Sequence, residues 1–263
     1  MAIKFQTTYF CQNKIAHDGD GQPKLLLFDI DGTLINAAGV GSRALKKAMR
    51  RLFDVDESFF HVKMDGLIDN QIIRIMLEQA GVISPTQTPA DAQKYDSIVP
   101  SVFRAYLEIL HDEIHAPAHK ENASILPGVL PMLNRLDQQE NIYLALLSGN
   151  IRRGAQLKLA PFDLNRYFLF GAFGEEGKTR EELVAVAIYR AMQIIGILFR
   201  QSDIYIIGDS VRDVQCARPY GIRTISVATG GTRSAELEKE MPDLLLQDLT
   251  DIETFTNFVL FDR

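Results

Sequence analysis

The feature that most constrains this chain is a repeated unit: a short apolar run, a polar or glycine turn, then a helical pattern. The first is Lys24-Leu25-Leu26-Leu27-Phe28-Asp29, which stops at Asp31-Gly32-Thr33. Residues 142–147 run into Ser148-Gly149-Asn150, 167–170 into Gly171, 204–207 into Gly208-Asp209-Ser210, and 224–227 into Ala228-Thr229-Gly230-Gly231. Unbroken apolar runs, rather than alternating ones, are what strands buried on both faces require. Strands alternating with helices predict an α/β protein with a doubly wound, mostly parallel sheet, a Rossmann-like core. In such sheets ligands bind beyond the carboxyl ends of the strands. The polar clusters all fall there.

One region breaks the alternation. Residues 39–119 contain helical patterns and no convincing strand, and predict a helical cap inserted near the start of the core, which takes 24–38 and 120–263. Residues 1–23 read as an N-terminal extension. Ser42 is the expected cap of a helix whose apolar face is Leu45, Ala48, Met49, Leu52 and Phe53. Asp69 is the expected cap of a second, with Ile72, Ile73, Met76, Leu77 and Ala80 inward and Gly81 as the stop. Thr88-Pro89 opens a third that carries Tyr95, Val99, Val102, Tyr106 and Leu110, with Pro100 as a candidate kink.

Composition narrows the function classes. The chain has 263 residues, 46% hydrophobic and 24% charged, as an ordinary globular protein does. A net charge of −6 argues against sequence-independent nucleic-acid binding and against an anionic membrane surface. No apolar run reaches the ~18–20 residues of a membrane span, and no signal-peptide pattern opens the chain. Cys11 and Cys216 form no disulfide framework, so a reducing, cytoplasmic setting is expected.

The chemistry concentrates in two acidic clusters. In Asp29-Ile30-Asp31-Gly32-Thr33, two carboxylates leave a buried strand, which is costly unless they are paired, metal-bound or catalytic. Gly208-Asp209-Ser210-Val211-Arg212-Asp213 repeats that placement after a later strand. Carboxylates gathered at neighbouring strand ends repel one another, and a hard divalent cation, Mg²⁺, relieves this through oxygen ligands. Helix capping by Asp209 and Asp213 accounts for one cluster but not for both.

These segments, with Leu147-Ser148-Gly149-Asn150 between them, resemble the haloacid dehalogenase superfamily over about residues 24–247. The resemblance implies that Asp29 is a nucleophile forming an aspartyl-phosphate, and that Asp31 is the general acid and base. It also implies that Mg²⁺ is bound by Asp29, the Asp31 backbone carbonyl and Asp209, with Asp213 supporting these ligands or holding a metal-bound water. Thr33 is expected to orient the nucleophile. Ser148, Gly149 and Asn150 are expected to bind phosphoryl oxygens, though Ser148 alone would serve equally as a helix cap. Dehalogenases of the superfamily lack an acid at the position of Asp31, so phosphate-ester chemistry is implied.

The superfamily also uses a lysine against the phosphoryl group. No Lys-Pro pair is present; Lys158, ten residues after Ser148, is favoured over Lys178, which follows Gly177 in a polar loop. The inserted helices match the superfamily's cap, with Asp65-Gly66-Leu67-Ile68-Asp69-Asn70 and Arg43 as candidate specificity residues, and helix capping is the expected role of Asp69. His111, His115 and His119 are spaced four apart but lack the Glu of a zinc-protease helix, and read as exposed residues at the return from cap to core. The implied activity is a Mg²⁺-dependent phosphatase of a small phosphorylated metabolite, similar to phosphoglycolate phosphatases. A phosphomutase similar to β-phosphoglucomutase is the alternative.

Overall fold

A computed structural model describes residues 21–62, 66–85 and 88–261. Strands are β1 (Lys24–Phe28), β2 (Ile35–Asn36), β3 (Ser124–Ile125), β4 (Ile142–Ser148), β5 (Gly171–Phe173), β6 (Ile204–Gly208), β7 (Arg223–Val227) and β8 (Leu244–Leu246). Helices are α1 (Val40–Phe53), α2 (Asp69–Gln79), α3 (Pro89–His115), α4 (Pro117–Asn122), α5 (Val129–Asp137), α6 (Arg152–Leu159), α7 (Arg180–Ile195), α8 (Val211–Ala217), α9 (Ser234–Lys239) and α10 (Ile252–Phe261).

Six strands form one parallel sheet in the order β5-β4-β1-β6-β7-β8. The chain builds β1, β4 and β5 outward on one side, then returns to lay β6 on the other side of β1. The carboxyl end of β1 is therefore the switch point, where the connections part and leave a crevice. Phe28 pairs with Leu146 of β4 and with Ile207 of β6, so the residues just after all three strands meet at one place.

The period of two along β1 divides the core. Leu26 and Phe28 join Leu144, Leu146, Tyr205 and Ile207 on one face. Leu25 and Leu27 join Ala145, Leu147, Ile204 and Ile206 on the other, under Leu183, Val184 and Ala187 of α7. Each such side chain fully removed from water contributes about 1.5–3 kcal/mol before chain entropy is counted. Continuous burial on both faces is why these strands carry no polar alternation.

Helices α1, α2, α3 and α4 lie between β2 and β3, which pair antiparallel where the chain leaves the core and returns (Ile35 with Ile125, Asn36 with Ser124). Helix α2 buries Ile72, Ile73, Met76 and Leu77 and stops at Gly81, whose φ of +67° suits glycine. Helix α3 begins with Thr88 accepting from the Asp91 N–H and Pro89 in the first turn, and it continues through Pro100.

Several expectations are corrected. Helix α1 starts at Val40, not after a Ser42 cap, and Leu52 is exposed. The run 167–170 is the approach to a strand: Leu164–Tyr167 is a 3-10 turn, and the ladder begins at Gly171. A Cβ at Gly171 would lie 2.9 Å from the Leu146 Cβ, so the glycine read as a stop is where β5 comes closest to β4. Strand β8 was not anticipated; three leucines are too short a run to stand out. Residues 1–20 and Asp65 lie outside the described residues. Among the described residues no helix is long and apolar enough to cross a membrane.

Candidate active site

The strand ends bring together every site residue expected from the motifs. Asp29 follows β1, tied in by its N–H to the Ile207 carbonyl at 2.9 Å. Asp209 follows β6, and Asp213 lies in the first turn of α8. Asp29, Asp209 and Asp213 are all buried, and each places a carboxylate oxygen within 4.8 Å of the others. Two glycines make the crowding possible. A Cβ at Gly230, after β7, would fall 1.6 Å from Asp209 Oδ2, and one at Gly32 would fall 2.6 Å from it.

This crowding has an electrostatic cost. Burial pushes the Asp209 carboxyl up to about 8, with the charges of Asp29 and Asp213 adding to the rise and Arg180 opposing it. Burial likewise raises Asp29 to about 6, again against the pull of Arg180. A three-carboxylate oxygen cluster that resists ionising is a donor set that fits a hard divalent cation.

Asp31 faces the cleft. Its Oδ2 accepts from Lys158 Nζ at 2.7 Å and from Asn150 Nδ2 at 2.7 Å. Lys158 Nζ also donates to Asn150 Oδ1 at 2.7 Å, and Asn150 Nδ2 to Ser148 Oγ at 2.9 Å. Lys158 is buried on α6, which follows the Ser148-Gly149-Asn150 loop by one residue, so one turn-and-helix delivers all these groups. Lys178 is exposed, and its backbone N–H donates to Glu182. Thr33 turns its hydroxyl to Asp209 Oδ1 at 3.2 Å, orienting that acid rather than Asp29.

Sequence reasoning missed Arg180. Its guanidinium is 5% exposed, lies 3.1 Å from Asp29 Oδ1, and pairs with Asp213. Burial works against its charge, but Asp213 and Asp29 more than offset this and hold it firmly protonated. One signal was available: an arginine at the first position of α7 opposes the helix dipole, which a merely exposed residue gains nothing by doing. Asp213 completes its contacts by accepting from Ser210 N–H at 3.0 Å and Oγ at 2.6 Å, so Ser210, not Asp209, caps α8.

Asp69 does not cap α2. It is that helix's first residue, and its carboxylate crosses to the core, where Oδ2 accepts from the Ile151 N–H at 2.9 Å. Its own N–H donates to the Gly149 carbonyl at 2.7 Å. A Cβ at Gly149 would sit 2.2 Å from the Leu67 carbonyl oxygen, so only glycine lets the two loops touch. Burial raises the Asp69 carboxyl to about 6, Lys158 opposing it. Arg43 is not among the residues lining the cleft; it donates to Glu113 and to the Ala38 carbonyl. Of the three histidines, His111 and His115 are exposed, but His119 is buried on α4, contrary to expectation. Pro117 starts that separate helix, which breaks the spacing of four.

Comparison with known proteins agrees with this geometry. The chain is 23% identical over 230 residues to phosphoglycolate phosphatase 1 of Pseudomonas aeruginosa, covering 88% of this chain and 78% of that protein. The phosphoglycolate phosphatase of Photorhabdus laumondii is 22% identical, over 87% of this chain and 90% of its own. Among solved structures, a hydrolase from Pseudomonas syringae superposes with a TM-score of 0.61 at 20% identity, over 91% of this chain and 100% of the other. CbbY from Rhodobacter sphaeroides in complex with phosphate gives 0.63 at 16% identity, over 88% and 96%. Residues 26–227 match the family described as haloacid dehalogenase-like hydrolase, and the chain belongs to it.

Proposed function

We propose that this protein is a Mg²⁺-dependent phosphatase that hydrolyses a small phosphate monoester through a covalent phosphate on Asp29. The observation that carries this is the pairing of two acids with different partners at the end of β1. Asp29 sits with the buried acidic cluster, and Asp31 faces the cleft in contact with Lys158. The phosphatase relatives support the same reading.

Asp29, the Asp31 backbone carbonyl and Asp209 would hold the cation, with Asp213 beside them. Once bound, Mg²⁺ neutralises charge so that an anionic ester and an anionic nucleophile can approach. The Asp29 carboxylate attacks phosphorus and the bond to the leaving oxygen breaks, while Asp31 gives that oxygen its proton. Asp31 then takes a proton from water, the water oxygen attacks the phosphorus, and Asp29 leaves as a carboxylate with release of inorganic phosphate. Lys158 and the Ser148-Gly149-Asn150 loop hold the phosphoryl oxygens, and Arg180 holds Asp29 in its attacking orientation.

The test is phosphate release from p-nitrophenyl phosphate and from phosphorylated metabolites, with Mg²⁺ or with EDTA, by the native protein and by Asp29→Asn. Release that needs both Mg²⁺ and Asp29 is expected. Activity surviving both EDTA and Asp29→Asn overturns the mechanism, and an isomeric phosphate accumulating in place of inorganic phosphate makes the enzyme a mutase.

A further inference from the structure

Beyond the acidic cluster the cleft encloses about 460 Å³ between the sheet and the inserted helices. Its wall on the helical side includes the apolar side chains of Val40, Leu45, Leu67 and Ile72. Four polar side chains interrupt that wall, Asn36, Ser42, Asp69 and Tyr106, and Tyr106 carries a hydroxyl on a rigid ring. Among the described residues lining the cleft, the cations are Lys158 and Arg180, and both are already paired with acids. An ester whose leaving group carried a carboxylate would set that charge against those apolar side chains and the acids Asp31 and Asp69. A charge buried without a partner, close to like charges, is strongly disfavoured.

Tyr106 supplies the positive half of the case. Its ring is 1% exposed, and its hydroxyl, which lines the cleft, makes no hydrogen bond to another described residue. Burial holds its acidity far below that of an ordinary phenol, so the group is a neutral donor and acceptor. It lies near Gly41, where an added Cβ would be 2.9 Å from Lys158 Nζ and 3.5 Å from Tyr106 Oη. The hydroxyl and the ammonium that grips Asp31 therefore both reach toward Gly41 in the same cleft. A neutral hydroxyl that lines a cleft without a protein partner is free to bond a polar group of the ligand.

We propose that the cleft selects the phosphate ester of a small, uncharged, hydroxyl-bearing alcohol, whose hydroxyl is met by Tyr106 Oη. This rests on the phosphatase reading above, and it separates the chain from relatives named for phosphoglycolate, whose leaving group carries a carboxylate.

The experiment measures kcat/KM of the full chain with Mg²⁺ on p-nitrophenyl phosphate, glycerol 3-phosphate, ethyl phosphate and phosphoglycolate. Glycerol 3-phosphate is expected to exceed phosphoglycolate by roughly tenfold or more. Tyr106→Phe, which keeps the ring, is expected to lower the ratio of glycerol 3-phosphate to ethyl phosphate by roughly tenfold, one hydrogen bond's worth. Because both are ratios on one preparation, partial misfolding does not affect them. A preference for phosphoglycolate overturns the proposed substrate class, and a ratio unmoved by Tyr106→Phe overturns the role of Tyr106. Failure to turn over any of the four esters overturns the phosphatase reading itself, and this inference with it.

Discussion

Arg180 Nη2 lies 3.1 Å from Asp29 Oδ1 while the same nitrogen pairs with Asp213, so a single buried cation links two of the three clustered acids. The acid at the end of β1 and the acid in the first turn of α8 are held in register by a residue from α7. The helix on one face of the sheet thus fixes the geometry at the carboxyl ends of its central strands.

Removing that cation strands two buried carboxylates. Arg180→Met is expected to cost about 3–5 kcal/mol of folding stability without metal, the usual penalty for breaking a buried pair from one side. Mg²⁺ should restore part of the loss, because it supplies the missing positive charge. Urea unfolding of native and variant proteins, in EDTA and in Mg²⁺, measures both effects.

The two candidate lysines separate cleanly. Lys158→Ala removes the Nζ contacts to Asp31 and Asn150, and kcat/KM on p-nitrophenyl phosphate is expected to fall roughly 100-fold or more. Lys178→Ala, on an exposed side chain, is expected to change little. A greater loss for Lys178→Ala reverses the assignment.

Gly230→Ala tests the cation site without removing a carboxylate. Its Cβ would fall 1.6 Å from Asp209 Oδ2, so Asp209 must shift. Binding at a hundredfold excess over Kd stabilises a folded protein by about 2.7 kcal/mol. Native protein is expected to gain on that scale from Mg²⁺ in thermal melts, and Gly230→Ala to gain almost nothing.

Asp69 makes stability depend on pH. Burial raises its carboxyl from 3.8 in the ordinary state to about 6 when folded, so the folded chain holds this proton more tightly than the unfolded one. Its contribution is therefore greatest at low pH and is lost as pH rises from about 4 to about 6, at no more than about 1.4 kcal/mol per pH unit. Asp69→Asn lacks this dependence. Urea unfolding of both proteins across that range should show the variant gaining on the native chain up to about pH 6, then a constant difference.

The sequence carried the sheet and the acids because each rests on a local signal. Apolar runs such as residues 204–207 can be nothing but buried, and Asp29-Ile30-Asp31-Gly32-Thr33 must leave such a run at its carboxyl end. Lys158 was reachable too, since its distance from Ser148 places it on the same turn and helix. Arg180 and Tyr106 were not, because their significance comes only from packing between elements far apart in the chain. Arg180 looks like an ordinary surface helix start until β1 and α8 are seen beneath it. Tyr106 looks like one more apolar position of α3, and periodicity cannot tell a hydroxyl that faces a cleft from a ring that fills the core. Asp69 was misjudged for a related reason: a carboxylate at a helix start serves the helix by default, and only the neighbouring loop reveals another acceptor role.

That bond from Asp69 has a consequence for movement. The hydrogen bonds to Gly149 and from Ile151 join the first turn of α2 to the loop that is proposed to grip the phosphoryl group. Any movement of α2 away from the core would have to break both bonds, and with them the loop's only backbone ties to that helix among the described residues. The position of the inserted helices and the shape of the loop are therefore coupled through two hydrogen bonds.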